Sequence, residues 1–431
     1  MSRPILTVFK FTLLILILSI TKISFSQDKA YALSCVKTLS SPQFHGRGFV
    51  KNGDRKSAKF IENELKKWGV QAFDKSYQQK FNFDINTISK AEVSLNTKPL
   101  VLGVDYLVFA ASTGLKGEYK LYYPDSFIML DFLKENHKNE VFVLDTFLYK
   151  SEDLINNYNE IISTCAFNNA VGIIAITKQN LVQTQRTYEF GFPFLQIKEE
   201  AWSENTKTIK INIKSKFKEN YESQNVIGFI KGEIDSFFVF GAHYDHLGRV
   251  NKNVYFPGAN DNASGVATIL SLAKYYHDNN IKPKYNITFI LFSAEEAGLI
   301  GSLYYTKHPI FALDKIKIMF NLDMVGTGVE GLSIVNGKEN PKASELIQKI
   351  NTKHKYFDDI KIGKGSANSD HHFFDSSGVP AIFLFTRGGP QYYHDILDRS
   401  ETLELNKHNE LIKMFEEFMQ SEINFKSKSN E

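Results

Sequence analysis

The chain of 431 residues predicts an α/β fold: a mainly parallel, mixed central sheet with helices on both faces, plus a β-rich inserted domain. Three observations predict it. From Asn225 onward, apolar strand phrases alternate with stretches of helical spacing. Two of those phrases, YNITFILFSAE and IKIMFNLDMVG, are nearly continuous apolar runs, which belong in a sheet buried on both faces. Between residues 85 and 223 the texture changes to short β-rich phrases separated by polar loops.

The elements follow in order. Residues 1–26 have a basic start, an apolar stretch from Phe11 to Ile20, and small residues at Ser24 and Ser26. They read as a secretory signal cut near Ser26, which implies export to a periplasmic or extracellular space. An anchor helix fits less well, because Lys10 and Lys22 interrupt the segment and ten apolar residues are too few to span a bilayer. No other membrane contact is expected. Residues 27–84 are the first part of the same domain as the chain's second half, with an amphipathic helix from Asp54 to Lys67 carrying Ala58, Phe60, Ile61 and Leu65. Residues 85–223 form the insert, read as a separate unit with strands in YLVFAAS, EVFVLDTF and VGIIAIT. Residues 224–425 form the catalytic domain. Its strands are VIGFI, FFVFGAH, the two apolar runs and GVPAIFLFT, and its helices run over Ala263–His277, Ala297–Thr306 and Lys342–His354.

Composition excludes several function classes. Lys and Arg number 51 against 48 Asp and Glu, and the excess is Arg3, Lys10 and Lys22 in the first 26 residues. The remainder is neutral, so no electrostatic footprint for nucleic acid exists. Cys35 and Cys165 are the only cysteines, too few for a disulfide framework, and read as buried free thiols.

Chemistry concentrates in five phrases: FGAHYDHLG, PGANDNASG, LFSAEEAGL, FNLDMVG and QYYHDILD. They carry His243, Asp261, Glu296, Asp323 and His394, two imidazoles and three carboxylates that suit a pair of zinc ions. Most lie where an apolar strand ends, and open α/β sheets bind ligands beyond the carboxyl ends of their strands. One architectural rule thus gathers distant residues into one site. Each residue also has a plainer reading. His243 and Asp245 stand two apart on a strand and face one side, either as a ligand with its supporting acceptor or as a structural pair. Strand alternation turns His246 away, toward a structural role. Asp261 is a natural helix cap, but Asn260 or Asn262 can cap and leave Asp261 to bridge two metals. Glu295 and Glu296 fit a helix start, yet their side chains diverge, so one can bind metal while the other faces water. Asp323 ends a buried strand and needs a partner there. Asp370 in SDHHFF is read as electrostatic support for the site, with His371 and His372 structural.

These phrases, from about Asn225 to Thr402, resemble those of the co-catalytic zinc aminopeptidases, a family that includes aminopeptidase Y and glutamate carboxypeptidase, and SSPQFHGRGF is a weaker echo. The resemblance implies that His243 and Asp323 hold one zinc, Glu296 and His394 the other, and that Asp261 bridges them. It makes Glu295 the general base, Tyr393 a donor to the oxyanion, and the Asp261–Asn262 peptide cis. The insert loosely resembles a protease-associated domain. Two Zn²⁺, three carboxylates and a hydroxide sum to zero charge, which fits a two-zinc hydroxide mechanism acting on peptides. The expected activity is an exopeptidase, foremost an aminopeptidase. A carboxypeptidase or a glutaminyl cyclase on the same scaffold, or a non-catalytic binding protein of peptidase fold, are the rival readings.

Overall fold

The computed structural model describes residues 29–123, 137–145 and 170–421. The expected signal segment, Cys165 and the last residues of the chain lie outside the described residues, and Cys35 is a buried free thiol. Among the described residues no helix is long and apolar enough to cross a membrane.

Sixteen strands are present among the described residues. The first eight are β1 (Gln78–Leu95), β2 (Lys98–Pro99), β3 (Tyr106–Val108), β4 (Leu115–Tyr122), β5 (Glu140–Asp145), β6 (Gly172–Thr177), β7 (Phe194–Lys198) and β8 (Thr208–Ile230). The others are β9 (Ile234–His243), β10 (Arg249–Val250), β11 (Val254–Tyr255), β12 (Tyr285–Phe292), β13 (Ile316–Leu322), β14 (Gly331–Val335), β15 (Ile360–Ile362) and β16 (Ala381–Arg387). The core of the catalytic half is four parallel neighbours, β12, β9, β13 and β16. β8 joins β12 antiparallel on one flank, and β14 joins β16 antiparallel on the other, giving the expected mixed sheet.

β9 shows why its apolar run is continuous. Phe238, Phe240 and Ala242 face one core, which includes Val266 and Leu270 of the helix Ser264–Asp278 and Phe415 of the helix His408–Gln420. Phe237 and Val239 face the opposite core, with Tyr305 of the helix Ile300–Lys307 and Phe374 of the helix His371–Ser376. Helices cover both faces, so both sides of the strand must be apolar. The helix Gly53–Lys67 buries Ala58, Ile61 and Leu65 on the first face.

The insert departs from the sequence expectation. It does not have its own sheet. β1 and β8 pair antiparallel from Gln78↔Val226 to Leu95↔Ile209, so the boundary anticipated at residue 85 falls inside β1 and the one at 223 inside β8. β4 then joins the far end of β8, and β5, β6, β7 and β3 follow in one continuous sheet. The insert does have its own apolar packing: Val141 and Val143 of β5 face one cluster, Phe142 and Leu144 another. A change of texture marks where packing partners change, and it does not require a break in hydrogen bonding.

Candidate metal centre

The carboxyl ends of the four parallel strands supply the site. His243 is the last residue of β9, and Asp323 directly follows β13. Glu295 and Glu296 follow β12 after a tight turn, and His394 lies in the loop after β16. Three residues there adopt left-handed backbone without being glycine: Ala294 (φ 60°), Met324 (φ 57°) and His394 itself (φ 55°). Each costs on the order of 1–3 kcal/mol, and each turns the chain beside a proposed ligand. Asp261 precedes the helix Ser264–Asp278, and the Asp261–Asn262 peptide is cis. Asn262 takes the capping role, its Oδ1 accepting the Gly265 N–H at 2.9 Å, which frees Asp261.

Asp261 stands between the two histidines. Its Oδ1 is 3.3 Å from His243 Nε2, and its Oδ2 is 3.3 Å from His394 Nε2. Asp323 Oδ1 lies 3.4 Å from His243 Nε2, and Glu296 Oε2 lies 3.1 Å from His394 Nε2. Zinc bonds of about 2.0–2.1 Å in a tetrahedron set neighbouring donors about 3.3 Å apart. The separations of 3.3–3.4 Å are long for N–H···O bonds. Asp261 Oδ2 and Asp323 Oδ1 are buried with no hydrogen-bond partner, as donors awaiting a cation would be. His243 forms close donor triads with Glu295 and Asp323 and with Asp261 and Glu296, each within 4.8 Å. His394 belongs to neither triad, but it approaches Asp261 and Glu296 more closely than the 3.9 Å between Glu295 and His243. Donor-edge lengths therefore sort His243 with Asp323 and His394 with Glu296, and leave Glu295 the outer carboxylate.

The electrostatics ask for positive charge. Six buried or nearly buried carboxylates, on Asp245, Asp261, Glu295, Glu296, Asp323 and Asp370, surround three histidines. Burial opposes charge on His243, but Glu295 and Asp323 outweigh it and push its pKa well above the usual value. Burial likewise opposes charge on His394, and Glu296 with Asp261 overrides it, pushing the group up to about 11. Glu296 sits at about 2, because His394 outweighs its burial. Burial raises Glu295 well above the carboxylate range, and Asp370, Glu296 and Asp323 add to it. Burial also lifts Asp370 to about 7, and its two oxygens have no hydrogen-bond partner. The residues present fit the binding of divalent metal.

Supporting contacts correct two readings. The acceptor for His243 Nδ1 is the main-chain carbonyl of Asp245 at 3.2 Å, while the Asp245 carboxylate accepts the Glu295 N–H at 3.2 Å. His246 does not face away: its Nδ1 donates to Glu296 Oε1 at 2.6 Å. β9 ends at His243, so strand alternation no longer governs where His246 points. Tyr393 stacks on His394 with ring centroids 3.8 Å apart and is 54% exposed. His371 is buried, with its Nδ1 unpartnered and its ring 5.5 Å from that of Phe383.

Several supporting residues escaped the sequence reading. Ser369 Oγ donates to Asp323 Oδ2 at 2.8 Å and accepts from Asn321 at 2.7 Å. Arg47, fully buried, donates to the carbonyls of Tyr244, Pro257, Gly258 and Asp261. Asp398 accepts the N–H groups of Asn260 and Asp261. Arg47 had a faint signal as the lone cation between two glycines. Gly46 is irreplaceable there, because a Cβ would meet Gly248 O at 2.2 Å and φ is +63°. Asp398 carried no signal beyond its place four residues after His394.

Residues 225–419 match the model of peptidase family M28. The chain is 32% identical over 230 residues to aminopeptidase YwaD of Bacillus subtilis, covering 49% of this chain and 47% of that one. It is 30% identical over 180 residues to a probable leucine aminopeptidase 2 of Aspergillus oryzae, covering 39% and 34%. The chain thus spans less than half the length of these two relatives. Among solved structures, the peptidase M28 precursor of Shewanella amazonensis superposes with TM-score 0.70 at 19% identity, over 95% of this chain and 98% of that one. BSAP, a zinc aminopeptidase from Bacillus subtilis, gives 0.68 at 21%, over 94% and 98%. These likenesses establish the fold for the insert as well as the catalytic half, and residues 225–419 are similar to peptidase family M28.

Proposed function

We propose that this protein is an exported, zinc-dependent aminopeptidase that removes N-terminal residues from peptides. One observation carries the two-ion reading: the two oxygens of Asp261 face different histidines at equal distance. In this reading His243 and Asp323 hold one ion, Glu296 and His394 the other, and Asp261 is shared. The match to the family model and the names of the relatives support peptide hydrolysis from the amino end. The expectation of export rests on the N-terminal residue pattern.

Zinc supplies carbonyl polarisation and brings the pKa of water toward about 7. The chain's own residues do the rest. Glu295 has no metal to hold in this scheme, so its carboxylate takes the proton of the attacking water and returns it to the leaving amine. The Tyr393 hydroxyl, on a ring stacked against His394, donates to the developing oxyanion. His246 engages one oxygen of Glu296 and leaves the other toward His394.

A panel of aminoacyl and carboxyl-terminal reporter peptides, assayed with and without chelator, tests the reading. Chelator-sensitive cleavage of free-amine substrates is expected. Cleavage confined to substrates with blocked amino ends would reject it.

A further inference from the structure

The two halves of the site are supported from different parts of the chain. On the His243–Asp323 side every support is local to the catalytic half: the Asp245 carbonyl for His243 and the Ser369 hydroxyl for Asp323. On the Glu296–His394 side the supports lead into the insert. His394 Nδ1 donates to the main-chain carbonyl of Gln183 at 2.8 Å, and Gln183 N–H returns to His394 O at 3.5 Å. Gln185 Nε2 donates to the carbonyl of His246, whose ring grips Glu296. Gln183 and Gln185 are 4% and 6% exposed in a strap without regular secondary structure, and Asn86 N–H ties the strap to β1 through Arg186 O at 3.0 Å. A histidine with Nδ1–H engaged presents its Nε2 lone pair, so the strap fixes both tautomer and ring direction.

Resting on the reading of this site as a two-ion centre, we infer that the insert strap around Gln183 and Gln185 is a positioning element for one ion position only, the one held by Glu296 and His394. The insert is then part of the metal centre's outer support, beyond any cover it provides for the cleft. Loosening it lowers the occupancy of one ion and spares the other.

The test measures zinc stoichiometry and stepwise affinity by titration calorimetry on the full chain, with visible spectra of the cobalt-loaded protein as a second readout. For the double variant Gln183→Gly with Gln185→Ala we expect one of two affinities to fall about 10–100-fold. Ser369→Ala should weaken the other ion instead, so that the two cobalt spectra change differently. Should the double variant unfold, Gln185→Ala alone, which removes only the strap's donor to the His246 carbonyl, gives the same reading with a smaller fall in that one affinity. Equal loss of both ions, or no loss, in a folded variant overturns the inference. A wild-type protein that binds no zinc overturns the metal reading itself.

Discussion

Arg47 and Asp261 lie 214 residues apart, and the buried guanidinium of Arg47 donates to the main-chain carbonyl of Asp261 at 2.9 Å. From the other side, the carboxylate of Asp398 accepts the Asp261 N–H at 3.0 Å. The peptide units flanking the proposed bridging carboxylate are thus clamped by opposite charges. Gly258 lets the clamp close, because a Cβ there would meet Asp261 O at 2.2 Å and Arg47 Nη2 at 2.5 Å.

Replacing Arg47 with Met keeps bulk but removes the guanidinium donors from the carbonyls of Tyr244, Pro257 and Asp261. Each buried carbonyl so orphaned costs about 1–3 kcal/mol, so a loss of roughly 3–5 kcal/mol is expected. Urea unfolding measures it. A loss under about 1 kcal/mol would show that water substitutes for the guanidinium.

Glu295→Gln removes the proposed base while keeping the side chain's size. Turnover should fall about 10²–10⁴-fold, the usual contribution of general base catalysis. Zinc content should match the wild type, since Glu295 stands 3.9 Å from His243, farther than Asp261 at 3.3 Å or Asp323 at 3.4 Å. Parallel loss of zinc would reassign Glu295 as a ligand.

Metal removal should destabilise the fold, because the six clustered carboxylates then repel one another with only histidine protonation to offset them. Dialysis against a chelator should lower the melting temperature and abolish activity, and added zinc should restore both. A melting temperature that ignores the chelator contradicts the metal fit.

His408 starts the helix His408–Gln420 and is fully buried beside Thr268. Burial, with a small contribution from Lys29, pulls its pKa down to about 4. The folded pKa is depressed below the unfolded value of about 6.5, so the folded state takes up its proton later than the unfolded chain. Stability is therefore full above about pH 6.5 and falls progressively toward pH 4. In His408→Gln this component disappears, and its stability should fall less steeply than wild type between those limits. Parallel pH profiles for the two proteins would exclude the assignment.

Much of the site was legible in the sequence because strand ends are legible. An apolar run that stops at a histidine or carboxylate marks both the end of a buried strand and a place on the sheet's ligand-binding edge. His243, Glu296 and Asp323 were found that way, and their carboxyl-end placement follows from the parallel strands β9, β12 and β13. His246 was misread because alternation was extended three residues past the end of β9. The insert was misread as separate because composition reports packing, whereas β1 and β8 carry hydrogen bonds straight across the change.

By itself the sequence determined the residue types of the centre, the layered α/β architecture and the strands that deliver the ligands, since these follow from local patterns of polarity. Only the tertiary structure decided what holds the ligands still. Arg47, Asp398, Ser369 and the Gln183 carbonyl act through main-chain groups or across long separations. A main-chain carbonyl leaves no trace in residue identity, and a hydrogen bond between chain-distant groups exists only once the fold has brought them together.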